Sequence, residues 1–258
     1  MHCYFERVDE SVYRATPETQ GAWNTDEQHI APALGLLAHA LEQDHAMRHG
    51  TPLRLSRVSF DILGTLPIDT VDLDTRVIRP GRTIELLEAS LSMDGRVGVT
   101  ARGWFLQESD TPALAGSALP AMPPRAGMER WNNPAGWRGR FITTADVFRR
   151  QSEPGRAWSW IRPQLPLLDD VEVSPTARLL GLIDIANGVT PRVSPDEVVF
   201  PNVDLTVHLL RAPETEWIGF DTTVSFGPTG LGLTHTVLHD ELGPIGTSQQ
   251  ALTVRPLR

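Results

Sequence analysis

The chain has 258 residues, 40% of them hydrophobic and 21% charged, and its 23 lysines and arginines against 32 aspartates and glutamates leave a net charge of −9. Such values suit one large or two small packed domains, and they disfavour wholesale disorder and a global nucleic-acid footprint. No apolar run nears the roughly 18 residues of a membrane span. The start MHCYFER lacks a basic segment followed by an apolar stretch, so a cytoplasmic home is expected, and the single cysteine, Cys3, excludes an internal disulfide, a cysteine-based zinc site or a CxxC redox pair.

From the N-terminus onward, Ile30, Leu34, Leu37 and Leu41 recur at helical spacing through IAPALGLLAHALEQDHAM, with Pro32 suited to the first turn. Four alternating segments follow, Leu53–Leu63, Thr70–Ile78, Thr83–Ser92 and Val97–Leu106, separated by Arg79-Pro80-Gly81 and Asp94-Gly95. Ser109–Pro134 is rich in proline and alanine without a period. It reads as a linker between an N-terminal unit, residues 1–108, and a C-terminal unit, residues 135–258. Trp131, Trp137, Trp158 and Trp160, with Arg138, Arg140, Arg149 and Arg150, either pack over the second sheet or line an acyl or nucleotide-phosphate site. Ser174 and Pro175 can start a second helix through TARLLGLIDIAN, which Asn187-Gly188 can end. Four further alternating segments close the chain: Val203–Leu210, Trp217–Val224, Leu231–His239 and Ile245–Val254.

The two halves resemble each other. At a constant spacing of 147 residues, Asp74-Thr75-Arg76-Val77 lies on Asp221-Thr222-Thr223-Val224, and Val58, Phe60 and Ile62 fall on Leu205, Val207 and Leu209. A strand buries alternate residues, so matching parity over two strands points to duplication more firmly than the identities do. With one extra residue in the second half, Gly95 and Gly98 fall on Gly243 and Gly246. Each half then reads as helix first and strands after, with short turns that imply antiparallel pairing. A helix and an antiparallel sheet can bury each other's apolar faces as two layers, and two copies can hide their edges against one another.

At this point the sequence resembles the bacterial type II acyl-CoA thioesterase family, the double hot-dog thioesterase-like proteins. The residues that carry the resemblance are Gly181-Leu-Ile-Asp-Ile-Ala-Asn-Gly188, Phe200-Pro-Asn-Val-Asp-Leu-Thr-Val-His-Leu209, Glu216-Trp217 and Gly246-Thr-Ser-Gln-Gln-Ala-Leu252. The resemblance implies an α+β double hot-dog, two tandem units each with a long helix wrapped by an antiparallel sheet. It implies hydrolysis of a fatty or related acyl thioester by an activated water. The substrate would be a small-molecule acyl-CoA, with no cofactor, no metal, no nucleic acid and no membrane as partner; a homo-oligomer is compatible with it. By motif position the site residues are Asp184, Asn202 and Gln250. Threonine is the family's residue where Asn202 stands. Asparagine can donate to and accept from a water but has no hydroxyl, so a non-hydrolytic acyl-thioester binding protein of the same fold is the alternative.

Without the resemblance, these residues have plainer roles. Asp184 is a polar residue on a helix, although Ile183 and Ile185 beside it would bury it partly and raise its pKa. Asn202 follows Pro201 and suits a turn, and Asp204 is a competing acid in the same segment. Gln249 and Gln250 face opposite sides of a strand, so at most one points at a given site. There is no GxSxG elbow, and Gly227-Pro-Thr-Gly-Leu-Gly232 lacks a phosphate-loop lysine and reads as a hairpin turn. His45 and His49 have metal-ligand spacing on a helix but no evident third ligand, and a solvated helix end is expected there. His235 and His239 share one face of a strand, expected at the surface. Carried back to the first half, the three site positions fall on Leu37, Leu55 and Arg102, none of which can activate water. One site per chain is therefore expected.

Overall fold

A computed structural model describes residues 2–50, 53–132 and 136–257. Asn133 and Pro134 at the end of the expected linker, and Ala135 at the start of the expected second unit, lie outside the described residues, as do Met1 and Arg258. The N-terminal half contributes β1 (Phe5–Asp9), β2 (Val12–Ala15), α1 (Ile30–Arg48), β3 (Arg54–Ile62), β4 (Thr70–Arg79), β5 (Ile84–Met93) and β6 (Arg96–Leu106). The C-terminal half follows with β7 (Glu129–Arg130), β8 (Ala145–Glu153), β9 (Arg156–Pro163), α2 (Pro175–Leu180), β10 (Val198–Val199), β11 (Asp204–Leu209), β12 (Ile218–Phe226), β13 (Leu231–Asp240), β14 (Gly243–Thr253) and β15 (Arg255–Pro256).

Thirteen strands form one antiparallel sheet in the order β1-β2-β4-β5-β6-β3-β11-β14-β13-β12-β9-β8-β7. Apart from β7 at the far edge, the order mirrors about the β3–β11 junction, which is the α+β double hot-dog. At the junction Phe60 pairs with Leu205, Val58 with Val207, and Ser59 with Thr206. Adding 147 to one member of each pair reproduces the set, so a local two-fold axis passes by Ser59 and Thr206. The hairpins agree: Leu91 pairs with Val99 and Leu238 with Gly246, and each hairpin is bulged just beyond that pair. Val58, Phe60, Leu205 and Val207 are all buried, and the junction is continuous with the hydrophobic core of both halves. By area and cavity considerations, Phe60→Ala would cost about 3–5 kcal/mol.

Three expectations need correction. Each half does not begin with its helix. The β1–β2 hairpin precedes α1 and the β8–β9 hairpin precedes α2, both missed because Pro, Gly and charged residues interrupt their alternation. The α1 stripe is too narrow: Ala31, Ala33, Leu36 and Ala38 are buried along with Leu34, Leu37 and Leu41. A helix apolar all round is a core helix, and α1 packs against β4, β5 and β6 on one side and α2 on another. The second helix is not continuous. It ends at Leu180, and a 3-10 turn at Ile183–Ile185 carries the chain on. The break falls at Gly181, where the helices cross: a Cβ added to Gly35 would lie 2.9 Å from Gly181 Cα. Glycine permits this approach and weakens the helix at the same point.

Candidate active site

Three elements converge beside that crossing. The 3-10 turn after α2 carries Asp184, held between the buried Ile183 and Ile185 and itself only 6% exposed. The residue before Val203 and β11 is Asn202, which bridges to Leu252 across the sheet end. The inner face of β14 carries Gln250, buried, while Gln249 next to it is exposed.

Asn202 Nδ2 donates to Asp184 Oδ1 at 2.7 Å and to the Asp204 carbonyl at 3.2 Å. Gln250 Nε2 donates to the same Oδ1 at 3.4 Å, and its Oε1 is buried without a partner among the described residues. Both amides thus hold one carboxylate oxygen and leave Oδ2 turned elsewhere. Asp204 plays a different part, since its Oδ1 accepts the Ala251 N–H at 2.6 Å and pins β11 to β14.

Oδ2 faces the first half of the chain. His29, the N-cap of α1, places Nδ1 3.6 Å from it. Nδ1 also accepts the Ala31 N–H at 3.2 Å, so the ring proton sits on Nε2. Burial pushes His29 down to about 3, which makes the imidazole neutral. The contact is therefore not an ion pair. Burial also pushes Asp184 up to about 6, against the stabilising hydrogen bond from Asn202. Such a carboxylate is ionised at neutral pH and still basic enough to take a proton.

A pocket of about 170 Å³ opens on Asp184 and Asn202. Its walls come from both halves: Gln28, His29, Ile30 and Leu66 on one side, Ile185 and Trp137 on the other, and Trp23 at the rim. Trp23 stands edge-on to Trp137 and Phe200, with ring centroids 4.8 and 5.3 Å away. Thr65 alone among the described lining residues carries a hydroxyl, and none is cysteine.

The three residues expected at the site come together. The sequence reading missed the contribution of the first half, His29, Gln28 and Trp23. Its signal was the polar residue immediately before the helix beginning at Ile30, a cap position pointing toward whatever the helix end meets. Of the Trp- and Arg-rich segment, Trp137 reaches the pocket, donating Nε1–H to the Gly188 carbonyl at 3.0 Å. Trp160 packs with Met128 and Trp217 instead, and Arg150 and Arg156 lie over Trp158.

The histidine expectations also change. His45 is buried rather than solvated: Nδ1 lies 2.5 Å from Glu85 Oε2, and Nε2 accepts the Leu53 N–H at 2.8 Å. His49 and Glu85 complete a group that could surround an ion. Arg48 already neutralises Glu85 at 2.7 Å. Burial works to raise the Glu85 carboxyl, but the hydrogen bonds from Arg48, His45 and His49 outweigh it and hold it at about 2. His239 is buried too.

A double hot-dog with a buried carboxylate held by two amides beside the crossing of its two helices defines the class. Two family models divide the chain between them: the acyl-CoA thioesterase N-terminal domain matches residues 19–106, and the acyl-CoA thioesterase C-terminal domain matches residues 115–254. The chain belongs to the acyl-CoA thioesterase family. No curated protein matches it in sequence. Among solved structures it is similar to a hot-dog protein of unknown function from Alicyclobacillus acidocaldarius, with a TM-score of 0.76 at 17% identity over 98% of this chain and 96% of that one. It is also similar to the acyl-CoA thioesterase II TesB2 of Mycobacterium marinum, with a TM-score of 0.69 at 16% identity over 98% and 96% of the two chains. At these identities the structural likeness speaks for the fold. Among the described residues no helix is long and apolar enough to cross a membrane.

Proposed function

We propose that the chain hydrolyses acyl-CoA thioesters with a water activated by Asp184. The observation that carries this reading is the division of labour on one buried carboxylate. Two amides hold Oδ1, and Oδ2 is left facing the pocket wall formed by the first half. A water against Oδ2 would lose its proton to Asp184 as it attacks the thioester carbon. Asn202, which lines the pocket, gives its Nδ2 protons to Asp184 and the Asp204 carbonyl, so its Oδ1 is left to accept a hydrogen bond from that water. Gln250 does not line the pocket and acts as a positioning residue behind Asp184.

The N-terminal end of α1 borders the same pocket through His29 and Ile30, and its positive dipole end favours the oxyanion that forms. The proton then passes from Asp184 to the leaving thiolate of coenzyme A. No covalent acyl-enzyme is needed. The test is a free-thiol assay on an acyl-CoA panel with the wild type and Asp184→Asn. Release of coenzyme A that depends on Asp184 is expected. Binding without release would favour the acyl-thioester binding protein, and a trapped acyl-enzyme would refute the direct attack of water.

A further inference from the structure

We propose that this site takes compact acyl groups, of about six non-hydrogen atoms beyond the carbonyl, and rejects long straight chains; this rests on the thioesterase reading. The acyl group must lie where the carbonyl can reach Asp184, in the pocket of about 170 Å³. A cavity of about 150 Å³ holds a benzene ring. A butyryl, hexanoyl, branched or benzoyl group therefore fits, and a palmitoyl chain does not.

The walls explain why the pocket ends where it does. The His29 ring lies against Phe141, with centroids 4.5 Å apart, and closes the inner side. Trp137 is fixed by its bond to the Gly188 carbonyl and by Phe200, with centroids 6.0 Å apart. Trp23 stands at the outer rim. It is 42% exposed and leans on two aromatic rings, so its removal opens space outward without emptying the core. Aromatic edges and the branched Ile30 and Ile185 line the remaining space. Within it each added methylene raises kcat/KM about fourfold, the value of its burial, until the pocket is full.

Two measurements test this. In the first, kcat/KM is determined for acetyl-, butyryl-, hexanoyl-, benzoyl-, decanoyl- and palmitoyl-CoA. A rise to hexanoyl or benzoyl and a fall of at least tenfold at decanoyl and beyond are expected. Trp23→Ala should move the maximum to longer chains, while Trp23→Phe keeps the wild-type order. In the second, the same acyl-CoAs are titrated into Asp184→Asn by tryptophan fluorescence, which reports on the pocket without turnover. Affinity that peaks at the compact groups supports the proposal even where no substrate is hydrolysed, and in that case the thioesterase reading alone falls. Palmitoyl-CoA bound or hydrolysed as well as hexanoyl-CoA by the unaltered pocket overturns it.

Discussion

The axis beside Ser59 and Thr206 gives the molecule two clefts, one at each end of the crossed helices. The first is the pocket on Asp184. The second, of about 880 Å³, is lined by Leu55, Ser174, Leu209 and Arg211 and by His39 and Glu42 of α1. Strands map between the halves at a spacing of 147 and the helix crossing at 146, since Gly35 meets Gly181. Asp184, Asn202 and Gln250 then correspond to Ala38, Leu55 and Gly103. Arg102, the expected counterpart of Gln250, is the counterpart of Gln249; Gly95 and Gly98 do not mark the register, because the glycines of the two hairpins sit one residue apart. The N-caps match in role though one residue out of that register, His29 on α1 and Ser174 on α2. In the second cleft Ser174 Oγ bonds Glu42 Oε2 at 2.5 Å, one helical turn beyond Ala38. Duplication thus preserved the backbone of both clefts, while the acid that meets each facing helix cap stands at a different position in each half. It kept in only one of them a carboxylate with two amide donors on one oxygen.

The comparison breaks most sharply on the acids themselves. Asp184→Asn should lower kcat/KM by about 100- to 10,000-fold, the scale of a general base. Glu42→Gln should leave it within about twofold. A comparable loss in both variants, read by coenzyme A release, would mean that two sites work in each chain.

Asp184 also ties activity to stability in opposite senses. Its folded pKa of about 6 lies above the ordinary aspartate value of 3.8. The folded state therefore binds more protons, and this group's contribution to stability is full below about pH 4 and lost as pH rises through 6. Activity should run the other way, rising through about pH 6 to a plateau. Asp184→Asn should remove both dependences and gain about 1–3 kcal/mol at neutral pH, measured by urea denaturation at pH 4 and pH 7.5. Equal stability of the two proteins at pH 7.5 would show that burial does not strain the carboxylate.

Asn202 comes next. Replacing it with alanine removes the 2.7 Å donor and leaves Gln250 as the remaining amide on Oδ1. A hydrogen bond to a charged group is worth about 1.5–3 kcal/mol. Asn202→Ala should therefore cost about ten- to a hundredfold in kcat and raise the pH midpoint of activity, because the lost bond favours the ionised form. Leu55→Asn in the second cleft should add no activity. Turnover gained there would show that the second cleft lacks only its amide.

Much of this was legible in residue order. Alternation at matched parity showed the duplicated sheet, and the observed β3–β11 register repeats the spacing read from it. The Gly181–Gly188 and Phe200–Leu209 segments carried Asp184 and Asn202 through resemblance, while alternation showed why one of two adjacent glutamines faces inward. What stayed hidden depends on distant contacts. His29 reaches Asp184, and Trp23 the pocket beside it, because two helices cross some 150 residues apart in sequence, and no local pattern encodes a crossing. The break after Leu180 has the same origin: TARLLGLIDIAN keeps a helical period, and Gly181 signals the close approach of Gly35 only once the partner is known. His45 looked like a surface residue on polar neighbours, while its partner Glu85 lies on β5.

The smallest expected effect belongs to the pair that holds the second cleft together. Ser174 Oγ accepts the Ala177 N–H at 3.0 Å and gives its own proton to Glu42, so one hydroxyl caps α2 and ties it to α1. Losing a cap costs about 1 kcal/mol. Glu42 is already raised by burial, with the Ser174 hydrogen bond working against the rise. Ser174→Ala removes that opposition, so the folded pKa climbs further and more stability is lost as pH rises through it. The variant should therefore lose about 1 kcal/mol from the cap at pH 4 and more than that at pH 7.5, a margin kept small by partial exposure. Adding Glu42→Gln should remove the pH dependence and leave the cap loss alone. Turnover of acyl-CoA should stay within about twofold throughout, since neither group touches the pocket on Asp184. A tenfold fall in kcat with intact folding would mean that the two clefts are coupled through the helix crossing, and that the second is part of the machinery rather than its structural counterpart.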